Sequence, residues 1–113
     1  MKKKQAMGME FAGTMILAIA VVGSGHMAAN LSQDGGIRLL INALATAVGL
    51  AVVIKIGMKI SGAHFNPVVT LVMVVLKKIS NEVAALYITA QVLGAVLGVG
   101  IANLIYDHDF LIQ

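Results

Sequence analysis

Ser61-Gly62-Ala63-His64-Phe65-Asn66-Pro67-Val68-Val69-Thr70 sets irregular, hydrogen-bonding backbone between two strongly apolar segments. In a bilayer every backbone N–H and C=O needs a partner, so such a stretch is tolerated at membrane depth only where protein buries it or where it lines a water-filled cavity. A pore is the first thing it points to. Pro67 is favoured in the first turn of a helix, where its missing N–H does no harm, and Lys77-Lys78 mark a stop. The ten residues from Pro67 to Leu76 rise about 15 Å, half of the ~30 Å hydrocarbon layer. The spacing predicts a re-entrant loop and half-helix over 61–76, although the Asn66-Pro67 dipeptide alone also fits a plain turn between two membrane helices.

The surrounding composition supports a membrane setting. The chain has 113 residues, 59% hydrophobic and 12% charged, with mean hydropathy +0.95, outside the range of soluble domains. A few spans of about 20 residues use up this length, which leaves no room for a soluble domain. There is no cysteine, so disulfides, thiol catalysis and Cys-ligated metals are excluded. His26, His64 and His108 lie far apart in the sequence without metal-ligand spacing, and neither metal nor cofactor is expected. The pI near 9.5 comes from Lys2, Lys3, Lys4, Lys55, Lys59, Lys77 and Lys78, which flank apolar runs without interleaved aromatics. They read as topology signals in a bilayer, not as a nucleic-acid surface.

Three spans are predicted, at about 6–29, 37–58 and 83–106, in a single unit covering 1–113. The lysines and apolar run at the start also fit a signal peptide with Gly23-Ser24-Gly25 as cleavage zone, but the run continues to Ala29 and is long enough to span uncleaved. Within it Glu10 is either an interfacial carboxylate or a buried acceptor or proton site. Asn30 to Gly36 reads as a loop, and Ser80-Asn81-Glu82 as a helix start. Ala90, Gly94, Gly98 and Ala102 recur every four residues, a stripe that lets a neighbouring helix approach closely; Ala43, Ala47 and Ala51 form a weaker one.

A helix beginning in mid-membrane aims free N–H groups and the positive end of its dipole into the space there, a field that repels cations, hydronium included. Asn66 adds a side-chain amide donor, and the carbonyls of Gly62, Ala63 and His64 form a ladder of acceptors. Neutral hydrogen-bonding solutes such as water or a small polyol suit that lining. Gly62 lets backbone come close.

The same ten residues resemble the first-half signature of the aquaporin, or major intrinsic protein, family. Glu10-Phe11-Ala12-Gly13-Thr14 and Tyr87-Ile88-Thr89-Ala90-Gln91-Val92-Leu93-Gly94-Ala95 resemble family patterns in the same order and places. The resemblance covers nearly the whole chain but only half of the family's fold, in which two halves of opposite orientation each give three spans and a half-helix. It implies an all-α membrane protein that is one such half. It also implies a pore lined by Gly62, Ala63, His64, Asn66, Pro67 and Val68, with Thr46 at the place of a second-span aromatic, and a loop supported by Glu10, in contact with His64, and by Gln91. Val68 departs from the usual alanine, and no second motif with its filter arginine is present. A wider, less cationic filter for glycerol-like solutes or neutral metalloid hydroxides is then expected, as in similar bacterial members linked to metalloid handling.

Half a pore needs a partner. An antiparallel homodimer, with family tetramers corresponding to eight chains, is the expected solution, and the stripe on the third span is its candidate packing surface. The charge bias opposes it: the lysines share the side of the N-terminus, while the other side holds Arg38 with Asp34, Asp107 and Asp109. That predicts one orientation, N-terminus in the cytoplasm of a cell's inner membrane. The competing readings are a proton-coupled small multidrug-type exporter using Glu10, and a non-conducting half that needs a separate second-half subunit. An enzyme is the least favoured class, because no nucleophile–base pair appears.

Overall fold

The computed structural model describes residues 3–111, so Lys2 lies outside the described part. Four helices run in chain order: α1 Lys3–Leu31, α2 Gly35–Gly57, α3 Pro67–Val75 and α4 Asn81–Ile105. The three long ones are long and apolar enough to cross a membrane. The nine residues of α3 rise only about 13 Å. Among the described residues the chain is therefore all-helical, with three candidate spans and one re-entrant half-helix.

Each boundary has a local cause. Asp34 caps α2, its Oδ1 accepting from Ile37 N at 2.9 Å, and Ser80 caps α4 by accepting from Val83 N at 3.1 Å. Arg38 covers the carbonyl end of α1, donating from Nε to Ser32 O at 2.6 Å and from Nη2 to Ala29 O at 3.4 Å. The half-helix stops without a glycine. Lys77 takes φ +59°, and Lys78 N donates to Met73 O and Lys77 N to Val74 O, both at 2.9 Å, a Schellman closure.

α1 is the central helix, with α2 antiparallel on one side and α4 parallel on the other. Lys3 Nζ pairs with Glu82 at 3.1 Å, which places the starts of α1 and α4 at the same end. The α1–α4 seam explains the small-residue stripe. A Cβ on Gly94 would overlap the Phe11 carbonyl oxygen, and one on Gly98 would lie 2.5 Å from Met15 O and 2.8 Å from Ala18 Cβ. Ala90 and Ala102 are buried on the same seam. This corrects the expectation that the stripe offers a surface to a second copy, because α1 of the same chain occupies it. The weaker stripe, Ala43, Ala47 and Ala51, is exposed; α2 meets α1 through Gly49, Val53 and Gly57 instead, and Asn42 Nδ2 donates to Val21 O at 2.8 Å.

Gly94→Ala should therefore destabilise the fold by about 1–3 kcal/mol through overpacking of backbone on backbone. Gly8→Ala, where a Cβ meets nothing within 4 Å, should be neutral or stabilising by up to about 1 kcal/mol. Reversible unfolding of the detergent-solubilised protein measures both, and equal effects would contradict the seam.

Candidate functional site

The loop between α2 and α3 folds inward around one carboxylate. Glu10 is 0% exposed. Its Oε2 accepts from Ser61 Oγ at 2.6 Å and from His64 N at 3.1 Å; its Oε1 accepts from Phe65 N and Gln91 Nε2, both at 2.8 Å. Four donors on two oxygens replace the water that a buried carboxylate has lost. Gln91 Nε2 also donates to Thr70 Oγ1 at 2.9 Å, and Thr70 Oγ1 lies 2.9 Å from His64 Nδ1. Tyr87 Oη donates to Ser61 O at 2.6 Å. Side chains from α1, α3 and α4 thus fix a loop that makes no regular backbone ladder of its own.

This arrangement decides where the loop's carbonyls point. A trans peptide sets N–H and C=O on opposite sides, and no peptide bond among the described residues is cis. With the N–H groups of His64 and Phe65 turned to Glu10, the carbonyls of Ala63 and His64 point away from it. Positive φ at Gly62 (+87°), Ala63 (+55°) and Phe65 (+53°) winds the chain through this course. At its end Asn66 caps α3, Oδ1 accepting from Val68 N at 2.8 Å. The cap commits the oxygen of the side-chain amide and leaves the NH₂ group free to donate outward.

A cleft of about 280 Å³ lies against this surface. Leu17 of α1 and Leu50 and Ile54 of α2 form its apolar wall, and Ala63, His64, Asn66 and Val69 form the wall facing them. Of the residues assigned to a pore from sequence, the structure brings Ala63, His64 and Asn66 to this cleft. Gly62, Pro67 and Val68 do not border it. Val68 is 64% exposed, and Val69, about 100° further round the helix, takes the wall position instead. Thr46 is also outside the cleft. It shares the face of Leu50 and Ile54, one turn before Leu50 in α2, and its buried hydroxyl has no protein partner. Glu10 meets His64 through the backbone N–H; the imidazole turns to Thr70 instead of to the carboxylate.

Sequence reasoning missed Thr70, Tyr87 and Ser61 as parts of this network. The signal for Tyr87 was its spacing: Tyr87 and Gln91 stand four residues apart on one face of α4, two polar groups in an uncharged span. Thr70 is 0% exposed and sits one turn after the Asn66 cap, where a polar residue in a half-helix needs an internal partner.

Three apolar helices with a capped half-helix entering between them define an integral membrane protein built around a re-entrant loop. The chain belongs to the major intrinsic protein family, whose profile it matches over residues 1–111. It is 43% identical over 98 residues to aquaglyceroporin AqpS of Rhizobium meliloti (strain 1021), an alignment covering 87% of this chain and 42% of that protein. To aquaporin-4 of Mus musculus it is 34% identical over 101 residues, 89% of this chain and 31% of the relative. The X-ray structure of the aquaglyceroporin from Plasmodium falciparum superposes with a TM-score of 0.79 at 26% identity, covering 94% of this chain and 43% of that one. The chain thus spans less than half the length of each of these relatives.

Glu10→Gln replaces an acceptor-only group by one whose NH₂ must face the donors of His64, Phe65 or Gln91. A loss of about 2–4 kcal/mol in unfolding free energy is expected, because it breaks a buried hydrogen-bonded charge. Amide exchange at 63–65 should accelerate, while Glu82→Gln at the exposed end stays within about 0.5 kcal/mol. Exchange mass spectrometry with equilibrium unfolding reads both effects.

Proposed function

We propose that this chain supplies one half of a passive channel for water and small neutral solutes, glycerol-like polyols or neutral metalloid hydroxides, in the inner membrane of a cell. The observation that carries this reading is the Glu10 network. By drawing the loop's N–H groups into the protein, it leaves the carbonyls of Ala63 and His64 and the free amide of Asn66 as the polar groups at an otherwise apolar cleft. Acceptors and a donor in sequence replace the hydration of a neutral solute, while the N-terminal dipole of α3 disfavours cations. Water and aquaglyceroporin channels among the relatives support the same class.

The cleft is closed, in this proposal, by a second half of inverted orientation, as in transporters built from inverted repeats. An inverted second copy of this chain and a separate second-half segment make opposite demands on topology. The charge pattern supports a single orientation: Lys3, Lys4, Lys55, Lys59, Lys77 and Lys78 lie at the end where α1 begins, against Arg38 at the other. The exporter reading asks Glu10 to bind and release protons, yet it is sealed from solvent with its oxygens engaged by four donors of its own chain. A support role for the loop suits it better.

Asn66→Asp should cut water and glycerol flux into proteoliposomes by about tenfold or admit protons, since it puts an anion where a neutral donor stood. Unchanged permeation of water, glycerol and protons would overturn the role of Asn66. The cysteine-free chain also allows single cysteines at Gln5 and Gln33, exposed at opposite ends. Labelling of each from one side only would exclude the inverted copy as the partner half.

A further inference from the structure

Phe65 is 4% exposed and holds φ +53°, a left-handed conformation that is costly for a bulky side chain. Its N–H is held by Glu10, and its ring is held separately. The ring fills the space where a Cβ would stand on two glycines of different helices. A Cβ on Gly57 of α2 would lie 2.7 Å from Phe65 Cζ, and one on Gly13 of α1 would overlap the ring. Glu10 and Gly13 are three residues apart, hence on one face of α1. The same helix face offers a carboxylate to the backbone of Phe65 and a notch to its ring.

We infer that Phe65 is a positioning and selectivity-determining residue of the conduit, the depth of its ring in the Gly13–Gly57 socket setting how far Ala63, His64 and Asn66 stand into the cleft. The inference rests on the channel reading above. Phe65 is bonded directly to His64 and Asn66 and borders the cleft with them, so a ring displaced by one methyl group carries the neighbouring peptide units with it. The opposing wall, Leu17, Leu50 and Ile54, belongs to the two helices that form the socket. Socket depth and cleft width are therefore set by the same pair of helices. A close-packed interior passes such a shift on instead of absorbing it.

The test is a size swap. Gly57→Ala, Phe65→Leu and the double variant are reconstituted as full chains; osmotic shrinkage gives water and glycerol permeability, and mass spectrometry gives amide exchange at 63–65. Gly57→Ala should push the loop into the cleft, lowering the glycerol-to-water ratio by about fivefold and speeding exchange, as an overpacked site does. Phe65→Leu should raise the ratio, and the double variant should return it to within about twofold of the native value. A purely structural role would lower both permeabilities together and leave their ratio unchanged, which overturns the proposal. So does a double variant no closer to native than Gly57→Ala. If Gly57→Ala does not fold, Phe65→Leu alone decides, and an unaltered ratio counts against the socket. A native chain without flux for either solute removes the channel reading instead, and the exchange arm then still accepts or rejects the socket by whether Gly57→Ala loosens 63–65 and Phe65→Leu restores it.

Discussion

The structure depends on a carboxylate shut off from bulk solvent. Moving a charged oxygen pair from water to an apolar interior costs several kcal/mol even after relaxation, and Glu10 is fully buried. What offsets that cost is a set of donors that the sequence could not satisfy in any other way at this depth: two loop amides, a serine hydroxyl and the Gln91 amide. The dependence is mutual, because the loop amides need an acceptor as much as the carboxylate needs donors. A loop with three left-handed residues would be a poor structure on its own. Clamped by Glu10, by Tyr87 at Ser61 O and by Gln91 through Thr70, it becomes a fixed surface.

The coarse architecture was legible because each signal is local and strong. Span length follows from runs of apolar residues, and the half-helix follows from Pro67 with its asparagine cap and a stop ten residues on. Family patterns around Glu10, Asn66 and Gln91 added the placement of the half. What remained hidden depends on distance in space. Gly94 and Gly98 announce a close neighbour but not which one, and α1 took the place assigned to a second copy. Val68 and Val69 are adjacent and chemically alike, so only the azimuth of a short helix separates the wall residue from the exposed one. Phe65 read as one more apolar residue in a motif; its meaning lies in the absence of a Cβ at positions 13 and 57, on two other elements. In the sequence Arg38 stands as the lone cation of its side; in the structure its guanidinium is spent on the carbonyl end of α1.

The use of the α4 stripe changes the terms of the proposed pairing. Helices associate in lipid by packing and by polar contacts, since lipid tails are as apolar as leucine. With Ala90, Gly94, Gly98 and Ala102 committed inside the chain, the proposed second half is left with the exposed apolar faces, among them the outer face of α3, where Val68, Leu71, Val72 and Val75 are exposed, and the free side of α2. These carry branched side chains, and α2 adds Ala43, Ala47 and Ala51. A half-helix whose exposed face is mostly valine offers rigid side chains for packing, since valine keeps few rotamers. The cap engages only the oxygen of the Asn66 side chain, so its NH₂ donor stays free for the cleft. The partner of the proposed pairing is then constrained chiefly in shape at this face, while this chain's loop is held by its own Glu10 network.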